Sequence, residues 1–127
     1  MICIGFSTQT HRLYARILCR HFRHVAPVLI TKNKCIIYQF TERNKVTLIR
    51  INHKDLHILE TYGWKFIKYK CKFTPRHALK SKPLNCVQWT KRACGINKRY
   101  ILTPDALFRY LKDEQKCPYW ELYLNEN

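Results

Sequence analysis

Two residues in this chain have the types and the local surroundings of a nucleophile and its base. Cys86 sits in Leu84-Asn85-Cys86-Val87-Gln88-Trp89-Thr90-Lys91-Arg92, and His24 opens the apolar run Val25-Ala26-Pro27-Val28-Leu29-Ile30. A thiol is a weak nucleophile at its free pKa; the positive end of a helix dipole and a neighbouring imidazole both favour the thiolate. Asn85 is a good N-cap, Val87 to Cys94 has helical composition and Gly95 is a natural stop, so the Cys86 sulfur is expected in the first turn of a helix. His24, at the start of a strand, is the candidate base. A base needs a third polar group to orient it, and Gln39 in the next extended run, Cys35-Ile36-Ile37-Tyr38-Gln39-Phe40, is the candidate orienter. His21, His53, His57 and His77 compete with His24 for its role. Taken singly, a cysteine at a helix start is ordinarily a buried small residue, and a strand histidine is ordinarily structural.

The elements that must position these groups follow from periodicity. A short edge strand is expected at Met1 to Phe6, then an amphipathic helix starting in Ser7-Thr8-Gln9-Thr10, with Leu13, Tyr14, Ile17 and Leu18 inward and Arg12, Arg16 and Arg20 outward. Extended segments His24 to Ile30, Lys34 to Phe40 and Val46 to Asn52 are joined by short polar connections, as antiparallel hairpins require. Pro27 inside the first favours an edge or a bulge. Lys54 to Tyr62 reads as a short helix closed by Gly63. Trp64 to Phe73 reads as a half-buried strand with a lysine face of Lys65, Lys68, Lys70 and Lys72. Thr74 to Pro83 reads as a loop that delivers the chain to Cys86 and could gate it. Tyr100-Ile101-Leu102 is a short extended piece, and Thr103-Pro104 opens a helix to Lys112 that packs through Leu107, Phe108 and Leu111. The aromatic tail, Tyr119 to Leu124, could add a last strand or cover an apolar groove. Together these predict one α+β domain over 1–127, its core about 7–112, with an antiparallel sheet of about four to six strands against which the Cys86 helix packs.

At 127 residues and 46% apolar composition, the chain has material for a single core. It holds no apolar run of eighteen residues or more, and its first residues lack the charged leader of a signal peptide, so a soluble, cytoplasmic protein is expected. The seven cysteines are odd in number and scattered, which argues against a disulfide framework and for reduced, buried thiols. No Cys-x-x-Cys occurs; His21-x-x-His24 and His53-x-x-x-His57 are the only paired spacings, and the latter lacks the Glu of a zincin motif, so neither metal nor cofactor is expected. The balance of 24 Lys+Arg against 8 Asp+Glu gives a net charge of +16, which favours an anionic partner such as nucleic acid, lipid head groups or an acidic wall polymer, or else a solvated cationic surface. Lys65, Lys68, Lys70, Lys72 and Arg92 are the candidate binding residues.

The order of helix, histidine-bearing strand and second strand, followed much later by Asn85-Cys86, Lys91-Arg92-x-x-Gly95-Ile96 and Leu102-Thr103-Pro104-x-x-Leu107-x-x-Tyr110-Leu111, resembles the circularly permuted papain-like (NlpC/P60-like) superfamily, in its small phage and bacterial versions. The resemblance covers roughly Ser7 to Leu111. It implies a thiol hydrolase or acyl-transfer enzyme in which Cys86 attacks an amide, ester or thioester, His24 carries the proton and Gln39 holds the ring. It also implies cell-wall peptide, protein amide or lipid ester as substrates, and a host cytosol or a virion as location. Gln39 departs from an acidic third residue and lends the imidazolium no charge. Two other readings stand beside it: a catalytically inactive basic scaffold of the same fold that binds nucleic acid or joins a virion, and an unrelated nucleic-acid-binding domain using Lys65 to Lys72 with Trp64, Phe66 and Tyr69, in which Cys86 and His24 lie far apart.

Overall fold

The computed structural model describes residues 1–9, 21–41 and 45–114. The amphipathic helix expected around Leu13 to Arg20 and the aromatic tail from Tyr119 to Leu124 lie outside the described residues. The rest is α+β. Five strands, β1 (Ile2–Ser7), β2 (His24–Ile30), β3 (Lys34–Phe40), β4 (Val46–Asn52) and β5 (Trp64–Lys68), form one antiparallel sheet in the order β4-β3-β2-β1-β5. A 3-10 turn at His53–Asp55 leads into α1 (Leu56–Thr61); α2 (Pro75–Lys80), α3 (Cys86–Ala93) and α4 (Pro104–Glu114) follow β5.

The hairpin turns are closed by their own polar residues. Thr31 takes both its N–H and its hydroxyl to the Lys34 carbonyl, and Thr41 does the same with Lys45. β2 is an interior strand, so Pro27 does not mark an edge of the sheet. Instead, pairing of β2 with β3 is confined to Val28–Ile30 against Cys35–Ile37, and stops one residue short of Pro27, whose nitrogen has no hydrogen to offer a ladder. Past that point the Tyr38 carbonyl receives the Trp89 Nε1–H of α3 at 2.9 Å, so the helix docks where the two strands cease to pair.

Register decides which residues share a face, because side chains alternate along a strand. Ile4 of β1 lies opposite Pro27 and Ile67, and Phe6 opposite Val25 and Lys65. On this face Ile4, Phe6, Val25 and Ile67 pack with Val87, Ile101, Leu107 and Leu111, while Phe40 packs with Ala78, Trp89 and Ala93; this is the face covered by α2, α3 and α4. The other face carries Cys3, Ala26, Val28, Cys35, Ile37 and Phe66, and α1 covers it through Leu56.

The helix boundaries have local causes. In α3 the Asn85 side chain accepts from the Gln88 N–H at 2.9 Å, and the Gln88 side chain in turn accepts from the Leu84 N–H at 2.9 Å, a reciprocal cap. The far end closes in a Schellman arrangement: Ile96 N–H reaches the Lys91 carbonyl, Gly95 N–H reaches that of Arg92, and Gly95 has the positive φ (72°) the motif requires. α4 is capped by the Thr103 hydroxyl and opened by Pro104. Its Asp105 carboxylate accepts from the backbone N–H groups of His21 and Phe22, tying the entry of β2 to the helical layer. The segment expected to be a gating loop before Cys86 contains α2, with Pro75 at its first helical position.

Candidate functional site

The residues proposed as a triad do not converge. His24 is opposite Ser7, which is opposite Trp64, and its ring meets the Trp64 ring edge-on with centroids 6.2 Å apart. Trp64 stacks on Phe66, and a Cβ on Gly5 would touch both rings, so His24, Trp64, Phe66 and Gly5 all belong to the α1 face. Gln39 is in step with Ile37 and Cys35 on β3, opposite Thr47, and shares that face with His24. Cys86 is half-buried in the first turn of α3, as expected, but packs against the Ile4, Phe6, Val25 cluster and the Phe40, Trp89 cluster on the opposite face. The sheet therefore lies between the Cys86 thiol and the His24 imidazole. The physical reason is parity: the β2 residue that faces α3 is Val25, so its neighbour His24 must face away.

The lysine face also divides. β5 ends at Lys68, and Lys65 shares parity with Ile67 on the helical face, where it lines a groove with Phe22, Asp105 and Arg109. Lys68 is opposite Cys3 on the α1 face, and exposed Lys70 and Lys72 lie in the irregular segment beyond the strand. Arg92 is exposed and clamps α2 to α3, its guanidinium donating to the Ser81 carbonyl at 3.0 Å and to the Ser81 hydroxyl at 3.1 Å.

Among the described residues five cysteines stand outside any disulfide. Cys3, Cys35 and Cys94 are buried, and Cys71 and Cys86 half-buried. Burial pushes the Cys3 and Cys35 thiols up to about 12. Cys71 and Cys94 share a thiol hydrogen bond, which lowers the Cys71 pKa and, with burial, raises that of Cys94. Among the described residues no group of three His, Cys, Asp or Glu side chains could hold a metal ion.

What unites the stretch between α1 and α4 is charge. From Thr61 to Pro104 the chain contains eleven Lys and Arg and no Asp or Glu. Ten of the eleven are exposed: Lys65, Lys68, Lys70, Lys72, Arg76, Lys80, Lys82, Arg92, Lys98 and Arg99. The eleventh, Lys91, is 8% exposed. Its ammonium donates to the Lys98 carbonyl at 2.9 Å and the Ile101 carbonyl at 2.7 Å, and desolvation, reinforced by the Arg92 charge, lowers its pKa. Total charge does not reveal this stretch; the spacing of the acids does. Lys91 also had a local signal, since it recurs with Val87, Thr90 and Cys94 on the buried stripe of α3.

Among the described residues no helix is long and apolar enough to cross a membrane. No protein-family model, no curated protein and no solved structure matches the chain.

Proposed function

We propose that this protein binds nucleic acid through the acid-free stretch from Thr61 to Pro104, comprising β5, α2, α3 and their connections. One observation carries the reading: ten exposed cations between Thr61 and Pro104 with no carboxylate among them. A solvated surface kept for solubility has no need to exclude acids, whereas a polyphosphate partner is repelled by each one. Arg92 holds the C-terminal end of α2 against α3 through Ser81, so Lys80 and Lys82 beside it are fixed relative to the second helix. Cys86 and His24 on opposite faces also suit a binding domain better than a thiol hydrolase relying on that pair.

The test is anisotropy of labelled single-stranded DNA and RNA across about 50 to 200 mM salt, where each neutralised phosphate contributes about 0.7 to the slope of log K against log salt. A steep slope is expected, flattened by the combined K70Q, K72Q, R76Q and K80Q substitutions. Absence of binding at about 50 mM salt, or a slope near zero, would sink the reading.

A second reading, acyl transfer by Cys86 on a permuted papain-like scaffold, is favoured by the position of the thiol in the first turn of α3 behind Asn85. It requires a base other than His24. Loss of acyl transfer in C86A, with H24A unchanged, would support it.

A further inference from the structure

The cavity between α3 and the segment 96–102 has a volume of about 290 Å³ and contains Lys91, Arg92, Lys98 and Arg99 but no carboxylate. Its polar lining is one-sided in a second way. Asn85 spends its side-chain oxygen on the Gln88 N–H, and Gln88 spends its own on the Leu84 N–H. Those two bonds fix both amides with oxygen turned to the backbone, which leaves their NH2 groups as the donors they can present to the cavity. The Lys98 and Ile101 carbonyls are occupied by the Lys91 ammonium, which has three N–H groups and commits two to them. These side chains therefore offer a ligand positive charge and N–H donors, each named amide or carbonyl oxygen already holding one hydrogen bond, and Asn97 adds a further side-chain amide to the lining.

Charge sets the preference: a neutral ligand would leave the lysine and arginine cations unused, and a carboxylate would use only part of the donor set. A phosphate monoester carries up to two charges and three acceptor oxygens on one tetrahedral centre, and suits convergent Lys, Arg and amide donors. Val87, Ile96 and Ile101 supply apolar wall beside these donors for the group the phosphate is attached to.

We propose that this cavity binds a phosphate monoester, presented either as the terminal phosphate of a nucleic-acid strand or as a free nucleotide. The terminal-phosphate form rests on the nucleic-acid reading above; the free-nucleotide form does not.

The test uses one oligonucleotide sequence in 5′-phosphorylated and 5′-hydroxyl forms, with adenosine monophosphate as the free nucleotide, each titrated calorimetrically against the full chain. It is repeated with the double substitution K98Q and R99Q, and with K98R and R99K, which keep the charge. Both positions are exposed, and the bond made by residue 98 to Lys91 uses its backbone, so folding should survive; melting curves check this. The phosphorylated strand is expected to bind about tenfold more tightly than the hydroxyl strand, with the difference erased in K98Q/R99Q and kept in K98R/R99K. Saturable binding of the mononucleotide without binding of either strand would preserve the cavity and remove the nucleic-acid reading. Equal affinity for both strands together with no mononucleotide binding, or a preference for the phosphate that persists in K98Q/R99Q, would overturn the proposal.

Discussion

The two faces of the sheet are built from the same strands but are covered very differently. Among the described residues one carries three helices over Phe6, Phe22, Trp89, Leu107 and Leu111, and the other packs Cys3, Val28, Ile37 and Phe66 beneath the six residues of α1. The difference teaches where chemistry can be assembled. A side chain on one face reaches only what covers that face, so a nucleophile held by α3 has no access to an imidazole that looks toward α1.

The strongest way to break this comparison is to truncate one anchor on each face. Trp89→Ala removes a 1%-exposed indole and its bond to the Tyr38 carbonyl, and is expected to cost about 3–5 kcal/mol. Leu56→Ala on the α1 face is expected to cost about 2–3 kcal/mol. Urea unfolding measures both, and equal losses would mean that the two layers contribute alike.

Titration sharpens the same contrast. The folded-state pKa values of Cys3 and Cys35, about 12, lie above the roughly 8.5 of an exposed thiol, so the unfolded chain gives up these protons first as pH rises. Their contribution is complete below about pH 8.5 and is lost progressively toward pH 12. Melting temperature against pH should fall less steeply in C3A and C35A than in the wild type; identical slopes would mean that these thiols ionise without penalty.

A smaller loss is expected at Gly5, where an added Cβ would lie 3.0 Å from one Trp64 ring atom and 3.1 Å from a Phe66 ring atom. Gly5→Ala must push the stacked pair outward, and about 1–3 kcal/mol is expected. His24 fluorescence quenching of Trp64 should change with it, since the imidazole lies edge-on to that indole. The smallest effect expected is at Cys86. His24→Ala should leave its alkylation rate within about twofold of wild type between pH 6 and 9. A marked fall would mean that the thiol and the imidazole communicate after all.

Strand positions were legible because their cause is local. The runs at His24, Lys34 and Val46 carry enough apolar and β-branched residues to declare themselves, and β2, β3 and β4 have the bounds expected of them. Asn85, Gly95 and Thr103-Pro104 likewise act within one helical turn, so α3 and the start of α4 were readable. Helix α2 is hidden in the sequence because a polar run bounded by Pro75 and Pro83 has the look of a loop, although a proline at the first helical position forfeits no bond. The site failed for a different reason. That His24 faces away from Cys86 depends on the register of β1 with β2 and on which face α3 covers, and a period-2 pattern buried on both faces records neither. Lys65 and Lys68, an odd number of residues apart, illustrate the same point within one strand: if it is regular, they cannot share a face.

The position of β1 has a consequence for how the molecule is made. The first four strands follow one another around the sheet as neighbours, and each can zip onto the last as it leaves the ribosome. The outer hydrogen-bonding edge of β1, however, waits for Trp64–Lys68, whose partners Ser7 to Cys3 were synthesised long before. Until then a buried strand of the finished protein is an exposed edge of the nascent one, and an unpaired edge is a template for another chain. A chain stopped at Gly63 is therefore expected to self-associate where the full chain does not, and sedimentation of the two would tell.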